Sequence, residues 1–278
     1  MGESPAAAAE AARAQVRLDA GDRAGAIAAS RRALAIDPDC LAAHVCMAHA
    51  KLPGEDFLGY LRRFHGALRP RTYLEIGVDA GRTLSLARPP TVAIGVDPAA
   101  KGEGIPFAAE TKLFALESDV FFAMHDVEAE FGHAIDLAFV DGLHLFEQAL
   151  RDFLHVERHA APESVVLFHD CLPLDAATAT RARQTGFWTG DVWKIVPILQ
   201  RLRPDLDVFV IPTYPTGLAV VTRLDPGSRV LEERFAAIVE EWVPRTWKDA
   251  PEGASPEFRL PLVPNDWEAV LSRVRPSR

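Results

Sequence analysis

From Tyr73 to Pro98 the chain reads YLEIGVDAGRTLSLARPPTVAIGVDP. A first apolar run, Tyr73 to Ile76, breaks at Gly77 and Gly81 into a predicted helix over 82–87, and a second apolar run ends on Asp97. Two buried strands joined by a glycine turn and a helix constrain the chain to an open, largely parallel sheet, whose ligand lies beyond the carboxyl ends of the strands. A glycine there lets backbone approach a nucleotide cofactor, and an acid closing the second strand is placed to take ribose hydroxyls. Asp97 is that acid.

The spacing separates one cofactor class from another. A dinucleotide fold requires G-x-G-x-x-G, so that the amides of a helix N-terminus close on a pyrophosphate. Here Gly77 and Gly81 stand four apart, Asp79 takes the middle glycine's place and Glu75 precedes them, an acidic turn that would repel phosphate. The pattern E-x-G-x-x-x-G resembles instead the first motif of class I S-adenosylmethionine-dependent methyltransferases, whose cofactor carries a cationic sulfonium and an amino-acid tail. The resemblance implies that Glu75, Gly77 and Gly81 surround the methionine tail and Asp97 the ribose, with Ser118 and Asp119 of LESDVFF at the adenine edge. Alone, a strand-turn-helix corner is a weak sign, and Ser118 with Asp119 also reads as a routine helix cap.

Composition sets the outer limits. At 278 residues the chain is long enough for one large domain or a domain with an appendage, and 49% hydrophobic residues supply a core. Thirty basic against 39 acidic side chains leave a formal charge of −9, which excludes the basic footprint expected of a nucleic-acid or anionic-membrane binder. Cys40, Cys46 and Cys171 are odd in number and lack C-x-x-C spacing, as expected of reduced thiols. No apolar run approaches about 18 residues, and MGESPAAAAEAA lacks the layout of a signal peptide, so a soluble, cytoplasmic protein is expected.

Three regions are predicted: a helical segment over 1–52, a cofactor-binding domain over 53–224 and a helical extension over 225–278. Ala20 to Asp39, AGDRAGAIAASRRALAIDPD, resembles the second half of a tetratricopeptide repeat, with Gly21 at the inter-helix turn, Ala26 and Ala33 at close-packing positions and Pro38 ending the helix. A further helix runs from Cys40 to about Lys51. A free-standing solenoid needs about three repeats, so these helices must lean on something: the catalytic domain, a second copy or a protein partner. After a short helix over 57–68, the reading is α/β, with strands near 72–76, 92–96, 112–115, 135–140, 164–168, 206–211 and 217–222. Helices are predicted over 82–87, 119–130, 144–160 and 190–202. The proline-rich IPTYPTG joins the last two strands as an antiparallel pair. A Rossmann-like, seven-stranded, mostly parallel sheet with a reversed last strand is the methyltransferase arrangement by resemblance. Helices at Val230 to Trp242 and Asp266 to Val274 are predicted to cover the active site or a subunit contact.

The chemistry is carried by the ends of two strands. IDLAFVDGLH ends in Asp141 and His144, and SVVLFHDC in His169 and Asp170. Both strands are nearly continuous apolar runs, as sheets covered on both faces require, so the four polar groups should emerge on one rim beside the cofactor. As a bland alternative, Asp141 with Gly142 forms a turn and Asp170 caps the segment after β-strand five. The runs DLAFVDGLHLFEQALRDF, VVLFHDC and GDVWKIVPIL resemble the class I methyltransferases that include macrolide-sugar O-methyltransferases, over roughly residues 57–223. In metal-dependent members, the acid ending strand four and an acidic pair ending strand five bind magnesium, and a base stands three residues after the first acid. Asp141, Asp170 and His144 match those places. His169 stands where such enzymes have Asp or Glu, and a neutral imidazole favours a borderline metal over magnesium. The expected ligands of a divalent metal are thus Asp141, Asp170 and His169, the metal being left open, and the catalytic set is His144 as base with Asp141 and His169.

Methyl transfer from a sulfonium is an in-line displacement, so the protein aligns an oxygen nucleophile and takes its proton. An imidazole serves at neutral pH, and without metal the His144 and His169 pair would do both jobs less strongly. The expected partner is a small hydroxylated acceptor such as a sugar or secondary metabolite. Trp188 and Trp193 are open to pocket or packing roles; His125, His133, His155 and His159 receive none. Two other classes fit the residues less well. A scaffold that holds cofactor without turnover leaves the Asp141, His144 and Asp170 set unexplained, and an oxidoreductase lacks its G-x-G-x-x-G.

Overall fold

The computed structural model describes residues 4–101, 105–247 and 260–275. Seven strands, β1 Thr72–Ile76, β2 Val92–Val96, β3 Glu110–Phe114, β4 Ile135–Val140, β5 Ala160–His169, β6 Asp207–Ile211 and β7 Leu218–Thr222, form one sheet in the order β3-β2-β1-β4-β5-β7-β6. β1 pairs in parallel with both β2 and β4, β4 with β5, and β7 alone runs against its neighbours. The chain leaves β1 toward one side for β2 and crosses to the other for β4. That reversal opens a crevice at the carboxyl ends of β1 and β4.

Alternation along the strands makes two cores. Leu74 and Ile76 of β1 join one layer with Phe153 and Val156 of α7 (Phe146–Arg158) and Ile198 of α8 (Ile195–Leu202). Tyr73 joins the other, with Phe139, Leu167 and Phe209 under Tyr60 and Phe64 of α4 (Phe57–Leu68). In α7, Phe146, Ala149, Leu150, Phe153 and Val156 are buried at the three- and four-residue spacing of one helix face.

Several helices differ from expectation. The predicted helix over 82–87 is only a 3-10 turn, Leu84–Leu86, and Ala87 is already extended. The pair Pro89-Pro90 stops it, since a residue before proline is excluded from the helical region. The helix predicted over 119–130 is two, α5 Ser118–Met124 and α6 Val127–Phe131, because the Asp126 side chain accepts from the amides of Glu128 and Ala129 and starts α6 afresh. Similarly, the helix expected at Val230 to Trp242 divides into α9 Val230–Glu233 and α10 Phe235–Trp242.

At the N-terminal side, α1 Pro5–Asp19, α2 Arg23–Ile36 and α3 Leu41–Lys51 pack through buried alanines, Ala7, Ala11, Ala14, Ala26, Ala29, Ala33 and Ala43 among them. Gly21, φ +79°, makes the left-handed turn between α1 and α2. The three helices dock on the sheet domain: Met47, Ala48 and Leu52 pack on Leu174, Phe187 and Tyr214, and Asp39 accepts from the Gly186 amide at 2.7 Å. Among the described residues, those from 260 to 275 do not line the crevice. Leu260 to Val263 runs along the outer edge of β6, with Val210 hydrogen-bonded to Pro261 and Val263, and α11 (Trp267–Val274) lays Trp267 on Phe64. Among the described residues no helix is long and apolar enough to cross a membrane.

Candidate active site

The crevice at the switch point is a cavity of about 620 Å³, a size suited to a cofactor or drug-sized ligand. Gly77, Asp97, Ser118, Asp119 and Asp141 line it, together with Phe57 and Leu58 at the start of α4 and Gln148 of α7. Its lining holds five carboxylate residues, Asp79, Asp97, Glu117, Asp119 and Asp141, against the single cation Arg82. Such a wall disfavours a pyrophosphate and suits a ligand bearing positive charge.

Gly77, φ +86°, turns the chain out of β1 where a Cβ would meet the Asp141 carbonyl oxygen at 2.1 Å. Gly81, φ +76°, closes the turn behind the cavity wall. Asp97 lies on the wall, and its carboxylate is already engaged: Oδ2 accepts from the Val78 and Asp79 amides at 2.8 and 2.9 Å, and Oδ1 from Ala99 at 2.7 Å. Its visible work is to hold the glycine turn in shape.

Glu75 stands apart from the cavity lining. It shares the α4 face of β1 with Tyr73, is fully buried, and accepts from Tyr73 Oη at 2.6 Å and Thr83 Oγ1 at 2.7 Å. Burial pushes its carboxyl up to about 8, against the opposing pull of those two donors. Ser118 donates to Asp152 Oδ1 at 2.6 Å, and Gln148 Nε2 lies within 3.0 to 3.2 Å of Ser118, Asp119 and Asp152. Burial raises Asp152 to about 7. Asp152, Gln148, Phe57 and Leu58 are unassigned by the sequence reading; each sits on a helix whose pattern signals only a packing face.

At the rim, β4 and β5 bring the four predicted groups together. His144 Nε2 lies 3.2 Å from Asp170 Oδ2 and 3.8 Å from Asp141 Oδ1, while His169 Nδ1 lies 3.2 Å from Asp141 Oδ1 and 3.4 Å from Asp170 Oδ1. Asp170 adopts φ +60°, a strained conformation for a non-glycine residue, and Thr216 Oγ1 donates to it at 2.5 Å. Burial disfavours charge on His169, but the carboxylates of Asp141 and Asp170 outweigh it and hold the imidazole well above its usual range. Asp170 is correspondingly lowered, burial being overcome by the two imidazoles.

The ligand atoms that converge within 4.8 Å belong to Asp141, His144 and Asp170. This shifts the expected metal set. His169, expected as a ligand, is not among them; its Nδ1 lies beside both carboxylates, at 3.2 Å from Asp141 and 3.4 Å from Asp170. His144 is the better donor. Its Nδ1 lies 3.0 Å from the Trp188 carbonyl oxygen, which can only accept, so Nδ1 carries a hydrogen and Nε2 is the nitrogen that faces the two carboxylates. Three lone pairs facing one another require a proton or a cation between them, so the residues fit a divalent metal. The Trp188 ring stacks on His144 at 5.2 Å, whereas Trp193 is buried against Trp247.

A family model described as a methyltransferase domain matches residues 74–171, from β1 to the end of β5. No curated protein sequence matches the chain. Solved structures of similar fold include the O-methyltransferase TomG from Streptomyces achromogenes in complex with SAM, at 16% identity over 60% of this chain and 78% of that one, TM-score 0.45. Cofactor-bound Rv0187 from MTB shares 18% identity over 67% and 90%, TM-score 0.46. MycE methyltransferase of the mycinamycin pathway, in complex with Mg, SAH and mycinamycin VI, shares 17% over 61% and 49%, TM-score 0.42. The matched segment, similar to a methyltransferase domain, spans the glycine turn, Asp97, the α5 corner and both rim strands.

Proposed function

We propose that this protein transfers the methyl group of S-adenosylmethionine to a hydroxyl oxygen of a small molecule, a sugar or other secondary metabolite, with His144 as proton acceptor. The observation that carries the reading is the placement of His144, its Nδ1 held by the Trp188 carbonyl and its Nε2 beside Asp141 and Asp170 at the rim of an acidic cavity. S-adenosylmethionine supplies an electrophilic methyl on a cationic sulfonium, which the carboxylate-rich wall favours over an anionic ligand. His144 takes the acceptor's hydroxyl proton as the new O–CH3 bond forms and the S–CH3 bond breaks, leaving a methyl ether and S-adenosylhomocysteine. Asp141 and Asp170 stabilise the imidazolium so produced, and His169 holds the two carboxylates in register through Nδ1. Asp97 keeps the turn open to the cofactor by binding the Val78 and Asp79 amides.

The convergence of Asp141, His144 and Asp170 favours a second reading of the same site. A divalent cation held by these three residues would lower the acceptor hydroxyl's pKa. Calorimetric titration with S-adenosylhomocysteine, with and without magnesium or manganese, followed by an acceptor screen, tests both. Micromolar binding and methylation of a hydroxylated acceptor without metal support the first reading, and strict metal dependence supports the second. Absence of any binding by apo protein would overturn the cofactor assignment.

A further inference from the structure

The run GDVWK, Gly190 to Lys194, touches neither the cavity nor the rim carboxylates, yet it encloses the backbone on which His144 stands. Gly190, φ +60°, passes so close that a Cβ would fall 1.7 Å from the His144 carbonyl oxygen. The Asp191 amide donates to that same oxygen at 3.2 Å, and Asp191 Oδ1 accepts from the Phe146 amide at 3.0 Å. Asp191 therefore grips the chain on both sides of Leu145. Two residues before Gly190, the Trp188 carbonyl takes the imidazole's Nδ1 hydrogen. One short loop thus holds the backbone, the ring orientation and the tautomer of His144.

The grip is itself anchored by charge. Asp191, 1% exposed, accepts at Oδ2 from Arg181 Nη1 and from Lys194 Nζ, each at 2.7 Å, and Arg181 also pairs with Glu147 in the first turn of α7. Lys194 is fully buried and lies 5.0 Å from the centre of the Phe146 ring, with Arg181 at 5.6 Å. Buried ions of this kind seldom favour stability over an apolar core of equal volume. Their retention is explained if the network fixes one geometry.

We propose that Asp191 is the positioning residue of His144, and that the Arg181, Glu147, Asp191 and Lys194 network holds the imidazole in the single Nδ1–H tautomer that aims Nε2 at the rim. The proposal rests on the role of His144 as proton acceptor. Asp191→Asn keeps the amide and an oxygen for Phe146 but removes the charge that binds Arg181 and Lys194. Its test is 15N NMR of histidine-labelled protein, which reads the tautomer of His144 directly, beside steady-state kinetics. The wild type should show one Nδ1–H tautomer. Asp191→Asn should show a mixture, a kcat at least about tenfold lower and S-adenosylhomocysteine affinity within twofold of wild type. Should Asp191→Asn not fold, Arg181→Met, at a partly exposed position, gives the same tautomer readout with a smaller effect. An unchanged single tautomer in the folded variant overturns the proposal. Absence of methyl transfer by the wild type would instead refute the function and leave the tautomer result standing.

Discussion

A Cβ atom on Gly77 would lie 2.1 Å from the carbonyl oxygen of Asp141, so the turn leaving β1 and the rim ending β4 meet backbone to backbone. The cofactor wall and the chemical rim are two sides of one contact. Neither can shift without the other.

Gly77→Ala should therefore lose both functions together. The left-handed φ adds on the order of 1–3 kcal/mol of strain, and the clash is with main chain, which cannot rotate aside. Calorimetry should find no measurable S-adenosylhomocysteine binding. Gly132→Ala is the control: its φ is +74° but a Cβ there meets nothing within 4 Å, so stability should fall while cofactor affinity holds.

Removing the Asp97 carboxylate should act on binding alone. Asp97→Ala frees the Val78 and Asp79 amides inside the turn. Affinity for S-adenosylhomocysteine should fall about tenfold or more, a change of about 1.4 kcal/mol. Unaltered affinity would mean the turn holds its shape unaided.

The reverse pattern is expected at His144. His144→Ala should lower kcat on the order of 100- to 10,000-fold, the usual worth of a general base, and leave cofactor affinity within about twofold. A loss of only tenfold would reduce its role to orientation.

Much of the architecture is legible in the sequence, for reasons that differ by element. β1, β2 and β4 are mainly apolar runs that end before a glycine or an aspartate, and their observed limits match the predicted ones. Asp141, His144, His169 and Asp170 are legible by the same logic, since residues that end adjacent parallel strands share a rim. The short turn after β1 is hidden because seven residues between Gly81 and Pro89 look helical until the cost of the double proline is weighed. Gln148, Asp152, Phe57 and the Asp191 network cannot be found by spacing at all. They meet the site through tertiary packing, from elements far away in sequence.

Glu75 predicts a pH dependence of stability. Its carboxyl sits at about 8 when folded against an ordinary value of 4.5, burial being the main cause. Folding therefore takes up a proton between those values. The stability that Glu75 contributes is complete below about pH 4.5 and is lost as pH rises toward 8. Denaturant unfolding of Glu75→Gln, which cannot ionise, should show a flatter profile across that window. Equal slopes for both proteins would refute the assignment.

The ion pair of Arg203 with Glu157 should matter only for folding. Both side chains are buried, and the guanidinium meets both carboxylate oxygens at 2.8 and 2.9 Å. Glu157→Gln leaves Arg203 paired with Asp205 alone and should cost about 1.5–3 kcal/mol by urea denaturation, the worth of a hydrogen bond to a charged group. The kcat of the remaining folded protein should be unchanged.

Asn265 places its side-chain amide within 3.0 to 3.3 Å of the carbonyls of Pro53, Glu55 and Pro212, and so fixes the entrance to α4, whose first residues Phe57 and Leu58 wall the cavity. The residue that secures this wall is encoded some 210 positions after it. A chain emerging from the ribosome forms its glycine turn and its rim strands long before that amide exists. Truncation upstream of residue 265 would keep the turn and both rim strands yet remove the amide that ties these three carbonyls together at the entrance to α4.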